Sequence, residues 1–351
     1  MSRMLSLPFV LTALLLTSST ARSQGDALSL VDAGTAIVAV PPPAPRELSG
    51  LVHSGGAEFY AVSDSQPGLH PLSISIDPAN GTIRSVKAGA PIVLRDEDGR
   101  PARGGDLEGV AFDQVADEVL TVNESFGDPA NAIVRYRRSD WRRTGVIDLS
   151  GTVFLRGAAR SGFGLESLAS TGSAVWTANE EALDADGPRA TGQRGTTVRL
   201  TRFDRGQSQG QWAYVTEPST GALPRIANVD GVADLLALPG GQLLVLERAT
   251  YSGQAPGDFG GFVSRIFEVT VTEATDISSR QRLDTLVAGT AYMPVRKRLL
   301  WQRAFSLFTG VNNFEGIALG PTLDDGSRSV LLIADNDVLP STLWALRLLG
   351  K

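Results

Sequence analysis

The chain has no cysteine and only two histidines among its 351 residues. Without cysteine there can be no disulfide framework, no thiol nucleophile and no cysteine-ligated zinc. Two histidines argue against a histidine-rich metal site, and the Arg-His-Gly motif of histidine phosphatases is missing as well. A chain of this length must therefore be stabilised by a hydrophobic core.

Positive charge is also scarce. Lysine occurs only at positions 87, 297 and 351, and the 38 acidic residues outnumber the 32 basic ones, giving a formal net charge of −6. An acidic chain is a poor partner for a phosphate backbone, so the sequence argues against binding of nucleic acid. It favours cations, or substrates that arrive with cations.

The sequence has one marked hydrophobic run near its start. Arg3 precedes the run Leu5–Thr17, and a polar stretch ending in Ala21-Arg22-Ser23 follows it. This order predicts a signal peptide over residues 1–23, cleaved near Ser23, and hence a secreted or periplasmic protein. The run is shorter than the roughly 20 residues of a membrane span, and no other segment approaches that length. We therefore expect no membrane span in the mature protein.

A two-part pattern occurs five times along the rest of the chain. Each copy has an acid or Ser before a Gly or Ser, then an apolar run, a turn and a second apolar run ending in acids or amides. The copies are Glu47–Ser65, Asp106–Ser125, Gly164–Glu181, Asn228–Arg248 and Asn313–Asp337. Their small residues, Gly50, Gly109, Ser167, Gly231 and Gly316, are 59, 58, 64 and 85 residues apart. The first three spacings are typical of one four-stranded β-propeller blade.

Each copy predicts a β-hairpin, because runs rich in Val, Leu, Ala and Ile flank a turn. A third β-rich run follows four hairpins, at Leu72–Ile76, Ile133–Arg137, Thr197–Phe203 and Ser264–Val269. The spacing of 85 residues leaves room for a degenerate blade around Phe262–Val271 and Arg282–Met293. We therefore expect an all-β protein with a six-bladed β-propeller over residues 47–351, and five blades as the alternative.

Two further segments carry predictions of their own. Residues 24–46 form an N-terminal extension, in which Ala36–Val40 is a candidate strand that closes the ring against the last blade. A helix is the one non-β element considered, around Arg296–Phe308.

The acids of the repeat fall at the start of one strand and at the end of the next. Because the two strands are antiparallel, these positions meet at one edge of the hairpin. The predicted pairs are Ser49 with Asp64, Glu108 with Glu124, Glu166 with Glu180, Asp230 with Glu247, and Glu315 with Asp335. If the first strand of each blade is innermost, all pairs converge on one mouth of the central channel. A single acid is equally well explained as a turn cap, but five at one repeat position favour a functional mouth.

Carboxylates confined in one mouth repel one another, and a divalent cation removes that repulsion. Ca²⁺ suits such a site because it accepts six to eight oxygen ligands in flexible geometry. The predicted ligands are Glu108, Glu166, Asp230, Glu315 and Asp335. For a hydrolase, the candidate general bases are Glu124, Glu180 and Glu247, and Arg248 is the candidate for neutralising developing negative charge.

Several motifs resemble those of a known family. The segments DLEGVA (Asp106–Ala111), GLESLA (Gly164–Ala169), WTANEE (Trp176–Glu181) and NFEGIALGP (Asn313–Pro321) occur in this order. They are similar to the secreted phytase-like domain family, "esterase-like activity of phytase", and the resemblance extends from about residue 46 onward. It implies a β-propeller, export, and hydrolysis of phosphoester or ester bonds. The Asp-Ala-Asp-Asp-Pro-Ala segment of calcium-dependent β-propeller phytases is absent, so the resemblance fixes no substrate.

Three functions remain open from the sequence. The leading expectation is a calcium-dependent hydrolase of a small phosphoester or ester, without an obligate protein partner. The second is a lactonase-type propeller enzyme, whose site also uses Glu, Asn and Asp around one divalent ion. The third is a non-catalytic propeller that binds a glycan, a peptide or a partner. The sequence Gly206-Gln-Ser-Gln-Gly210 matches a nucleophile motif but lies between two β-rich segments, which predicts a turn.

Overall fold

The computed structural model describes residues 27–34, 37–102, 105–124, 132–149, 152, 164–219, 230–251, 260–306, 312–336 and 339–350. The predicted signal peptide, residues 1–23, lies outside the described residues. Among the residues in these ranges, no helix has the length and hydrophobicity needed to cross a bilayer.

β-Strands are the only regular secondary structure among the described residues. They are β1 (Ser29–Asp32), β2 (Val38–Ala39), β3 (Leu48–Gly55), β4 (Glu58–Ser63), β5 (His70–Ile76), β6 (Ile83–Ala88), β7 (Leu107–Asp113), β8 (Glu118–Asn123), β9 (Ala132–Arg137), β10 (Arg142–Asp148), β11 (Leu165–Thr171), β12 (Ala174–Asn179), β13 (Thr197–Asp204), β14 (Gln207–Val215), β15 (Gly231–Ala237), β16 (Leu243–Tyr251), β17 (Gly261–Thr270), β18 (Arg296–Ser306), β19 (Asn313–Thr322), β20 (Arg328–Asp335) and β21 (Thr342–Leu349). The predicted third strands are confirmed as β5, β9, β13 and β17.

The strands form five antiparallel sheets, which are the blades of a β-propeller. Blades 1 to 4 have the strand orders β3-β4-β5-β6, β7-β8-β9-β10, β11-β12-β13-β14 and β15-β16-β17-β18. Blade 5 has the order β19-β20-β21-β1, and β2 also pairs with β21. The innermost strands β3, β7, β11, β15 and β19 contact one another in a closed ring. The all-β propeller is confirmed, but the expectation of six blades is wrong.

The long spacing before the last hairpin has a different cause from an extra blade. It is taken up by β17 and β18, of 10 and 11 residues, and by the connection over residues 271–295. That connection lacks strands of its own and packs on blade 3, where Ile277, Leu283 and Tyr292 enclose Ala213. The helix considered around Arg296–Phe308 is also wrong, because Arg296–Ser306 is the outer strand of blade 4.

The ring is closed by the N-terminal residues. Strand β1 pairs antiparallel with β21, with Ser29 opposite Leu349, and Val38 of β2 lies opposite Leu343. Residues 38–39 lie within the segment for which a closing strand is predicted, and β1 adds a second closure. The Asp32 carboxylate accepts hydrogen bonds from Trp301 Nε1 at 2.9 Å and Trp344 Nε1 at 3.1 Å, which joins β1 to blades 4 and 5.

The glycine of the repeat is explained by the closeness of the inner strands. A Cβ added to Gly50 would collide with the Glu108 carbonyl, and one added to Gly109 would lie 2.8 Å from the Leu168 nitrogen. These contacts leave no space for a side chain. Away from the axis, apolar side chains fill the space between blades, as where Leu244 and Leu332 join one buried cluster.

Candidate functional site

The acids of the repeat reach the central channel because the inner strands bulge where they begin. The register shifts between Leu165 and Ser167 in β11 and between Phe314 and Gly316 in β19, which leaves Glu166 and Glu315 without a paired residue. A similar shift in β7 spans Glu108. A bulge re-aims the side chain of the extra residue. Each of these glutamates is buried, at 5–8% exposure, close to the channel axis.

The side chains form one acidic cluster at this end of the channel. Carboxylate oxygens of Asp106, Glu108 and Glu124 lie within 4.8 Å of one another, and so do those of Glu124, Glu166 and Glu180. Glu124 belongs to both groups. With Glu315 and Arg248, these residues are called the carboxylate mouth below. Blades 2, 3, 4 and 5 all contribute to it.

One arginine lies among these carboxylates. Arg248, in β16, is 7% exposed, and its Nη2 lies 2.8 Å from Glu180 Oε1 and 3.3 Å from Glu166 Oε1. Its Nη1 forms an ion pair with Glu315. Arg248 therefore joins blades 3, 4 and 5 at the axis, and it is the only cation ion-paired with the mouth among the described residues.

Burial and mutual repulsion raise the pKa values of several of these carboxyl groups. Burial, with repulsion from Glu124, Asp64 and Asp106, raises the pKa of Glu108 to about 8. Burial and repulsion from Glu180 raise the pKa of Glu124 to about 7. The pKa of Glu166 is also raised well above its ordinary value, mainly by burial. The single positive charge of Arg248 is thus too small to offset the repulsion among these carboxylates.

The donor set fits a hard divalent cation. The group Asp106, Glu108 and Glu124 offers three carboxylates on the side of the mouth that has no ion pair with Arg248 among the described residues. The Oδ1 atoms of Asn123 and Asn313 are buried and accept no hydrogen bond from the described part of the chain. Carboxylate and amide oxygens are the ligands that Ca²⁺ prefers.

Most of the chain matches one protein family. The phytase-like family, described as "esterase-like activity of phytase", matches residues 45–338. The chain belongs to this family. The resemblance drawn from the sequence motifs is confirmed, and the family supports a hydrolase-like propeller.

No curated protein matches this phytase-like chain. Similar solved structures include a putative oxidoreductase (glucose dehydrogenase) from Thermus thermophilus, at 13% identity, 92% coverage of this chain, 100% of that chain and a TM-score of 0.38. Hydrazine synthase from Kuenenia stuttgartiensis is similar at 9% identity, 86% and 95% coverage and a TM-score of 0.36.

Most of the predicted site residues meet in the carboxylate mouth of this phytase-like propeller. The structure brings together Glu108, Glu124, Glu166, Glu180, Glu315 and Arg248. Asp335 lies beside them at the end of β20, opposite Asn313, whose amide donates a 2.6 Å hydrogen bond to Glu315.

Asp230 and Glu247 do not join the mouth, and their predicted pairing is not observed. Asp230 Oδ1 accepts a 2.8 Å hydrogen bond from the Thr250 nitrogen. Glu247 accepts hydrogen bonds from Tyr214 at 2.5 Å and Lys297 at 2.9 Å, between blades 3 and 4. Glu247 is therefore committed to a structural network, and the geometry does not support a role as general base.

The register of blade 4 explains this difference. Gly231 lies opposite Arg248, and the bulge falls between Val232 and Asp234, three residues later than the repeat suggested. Arg248 thus occupies the register position that Glu180 and Asp335 hold in blades 3 and 5, although β16 continues beyond it to Tyr251. Asp234 occupies the position of the repeat glycine. Its buried carboxyl accepts hydrogen bonds from the backbone nitrogens of Leu235 at 2.8 Å and Ile317 at 2.9 Å.

Asp106 is a member of the mouth that is not among the ligands predicted from the sequence. Asp106 has a φ of 69°, its nitrogen donates to the Asp64 carbonyl at 2.8 Å, and its carbonyl accepts from Glu124 at 3.0 Å. This left-handed backbone conformation places the Asp106 carboxylate within 4.8 Å of the Glu108 carboxylate. The available signal was its place as the first residue of the DLEG segment, two residues before the predicted ligand.

Proposed function

We propose that the protein is an exported, divalent-cation-dependent hydrolase of phosphoester or ester bonds, with Ca²⁺ as its cation. The proposal is supported most by the two carboxylate groups that share Glu124 at one mouth of a phytase-like propeller. Asp106 and Glu108 would hold the cation, with Asn123 as a further oxygen donor, and Glu124 beside them would remain free for proton transfer. When bound, the cation polarises the substrate oxygen and lowers the pKa of a coordinated water.

Glu124 is the best placed general base. It is half-buried, whereas Glu108 and Glu166 are buried, and its pKa of about 7 is close to neutral pH. A base of this pKa is both deprotonated and able to take a proton near pH 7. Its carboxylate also accepts a 3.3 Å hydrogen bond from the Gly164 nitrogen, which fixes its orientation.

Arg248 would affect substrate binding indirectly, by neutralising carboxylates of the mouth. It holds Glu166, Glu180 and Glu315 around its guanidinium and offsets part of their charge. The lower negative charge of the mouth reduces its electrostatic repulsion of an anionic substrate. Direct stabilisation of the reacting oxygen, the role expected from the sequence, would require Arg248 to release one of these glutamates.

The proposal is tested with the mature protein, by thermal unfolding with chelator or with added Ca²⁺, and by turnover of p-nitrophenyl phosphate and p-nitrophenyl acetate. We expect Ca²⁺ to raise the Tm, and turnover of one substrate to require it. Glu108→Gln should weaken both effects, and Glu97→Gln, an exposed control on a surface loop, should leave them unchanged. Absence of any Ca²⁺ effect and of any turnover would refute the proposal.

Export is part of the same proposal and rests on residues 1–23. The full-length chain, expressed in a bacterium, should be found processed outside the cytoplasm with Gln24 at or near its N-terminus. N-terminal sequencing of the protein from the periplasm and the medium checks this. An unprocessed cytoplasmic chain would contradict it.

A further inference from the structure

The central channel has a second mouth, at the turns of the inner hairpins. The inner strands run from the carboxylate mouth toward these turns. The second half of each inner strand lines a cavity of about 720 Å³. Pockets that bind small molecules have volumes of about 300–1,000 Å³. The cavity is called the hairpin mouth here. None of the carboxylates described above lines it.

The floor of the hairpin mouth is apolar. Its lining includes one branched aliphatic residue from each blade, namely Leu51, Val110, Leu168, Leu235 and Ile317. All five are at most 2% exposed, and each lies within two residues of the bulge in its inner strand. This ring separates the cavity from the carboxylate mouth.

The rim of the hairpin mouth carries two arginines. Arg202 of β13 lies 5.8 Å from the centre of the Trp176 ring, and Arg328 of β20 donates to the Gly320 carbonyl at 2.6 and 3.1 Å. Neither forms an ion pair with any described residue. Burial alone lowers the pKa of Arg328, with no carboxylate near enough to oppose the shift.

The other titratable groups of the cavity do not cancel these charges. Asp204 lines the same cavity, and its carboxylate accepts a 2.5 Å hydrogen bond from Ser173. His53 Nε2 donates a hydrogen bond to the Gly56 carbonyl at 2.9 Å. Burial lowers the pKa of His53, and the charge of Arg328 lowers it further. The lining therefore keeps a net positive charge with a neutral histidine beside it.

We propose that the hairpin mouth binds a small amphipathic organic anion. Its carboxylate or phosphate group would be attracted by the positive charge of Arg202 and Arg328, which line the cavity from different blades, and its hydrocarbon part would lie on the aliphatic ring. Guanidinium groups bind both anions through paired, charge-assisted hydrogen bonds. Burial of a short alkyl chain adds an apolar contribution that a free inorganic anion lacks.

The test is isothermal titration calorimetry with hexanoate, hexyl phosphate and hexanol, on the mature protein in EDTA. The chelator removes cations, so that an anion cannot bind through the carboxylate mouth. We expect saturable binding of one or both anions at a single site, and binding of hexanol at least about tenfold weaker. Tighter binding of hexyl phosphate or of hexanoate identifies the head group.

Variants separate this site from the rest of the surface. Arg202→Gln should weaken anion binding at least about tenfold, and so should Arg328→Gln. Arg100→Gln removes the same charge from a side chain that is 78% exposed outside the cavity, and should change nothing. Because Arg328 also holds the Gly320 carbonyl, its variant is used only if its Tm is preserved, and Arg202→Gln then decides. No saturable binding, or equal binding in wild type and Arg202→Gln, would overturn the proposal.

Discussion

Replacement of Arg248 by Met should destabilise the protein strongly and in a pH-dependent way. The substitution removes the guanidinium that lies 2.8 Å from Glu180 and 3.3 Å from Glu166 and pairs with Glu315. Removal of one partner of a buried ion pair costs about 3–5 kcal/mol, because it leaves a buried charge uncompensated. We expect a loss of this size in the free energy of unfolding at pH 7.5.

The loss should be smaller at low pH, because the freed carboxylates can protonate. Without Arg248, the folded state retains at least one more proton than the wild type above pH 5, whereas the unfolded glutamates are ionised. Each proton retained only by the folded state lowers stability by about 1.4 kcal/mol per pH unit. The difference between variant and wild type should therefore grow by about 3 kcal/mol between pH 5.5 and pH 7.5.

Urea unfolding at these two pH values, in EDTA, measures both numbers. Arg248→Lys keeps the charge but not the fork of donors, so it is the matched control and should lose much less stability at pH 7.5. Added Ca²⁺ should recover part of the stability of Arg248→Met. A loss below about 1 kcal/mol, or an equal loss at both pH values, would refute the assignment of Arg248 as the counter-charge of the mouth.

Three further predictions follow from the described contacts. Because Glu108 and Glu124 have raised pKa values of about 8 and 7, cations displace protons from them, and Ca²⁺ affinity measured by calorimetry should increase from pH 6 to pH 9. Asp32→Ala leaves two indole N–H groups without an acceptor and should cost about 2–4 kcal/mol in urea unfolding, whereas the exposed control Asp98→Ala should cost nothing measurable. Gly316→Ala places a Cβ 2.9 Å from the Leu51 nitrogen and should lower stability by about 1–3 kcal/mol, with an unchanged Tm as the contrary result.

Much of the fold follows from local patterns in the sequence. The hairpins and third strands are visible because two buried runs flank each turn, and the antiparallel register then brings Glu108 to Glu124 and Glu166 to Glu180. The number of blades is not local information. The connection over residues 271–295 contains enough apolar residues to suggest strands, but it packs Ile277 and Leu283 on blade 3 instead.

Blade 4 shows why the site could be predicted only in part. The segment Asp230-Gly-Val-Ala repeats the motif of the other blades, yet the register is set three residues later. That register buries Leu235 and gives the Asp234 carboxyl three backbone donors, including one from each neighbouring blade. These contacts are between residues far apart in sequence. The hairpin mouth could not be predicted from the sequence for the same reason, since its arginines, Arg202 and Arg328, belong to different blades.

The closure of blade 5 has a consequence for the order in which the molecule can assemble. Ser29 lies opposite Leu349, so the first and last strands must meet before the fifth blade is complete. During synthesis, blades 1 to 4 emerge before β21 exists, and the ring cannot close until β21 has been released. Contacts of such sequence separation slow folding and expose unpaired strand edges meanwhile. The propeller ring therefore stays open until β21 has been synthesised, and a chaperone would meet the chain in that state.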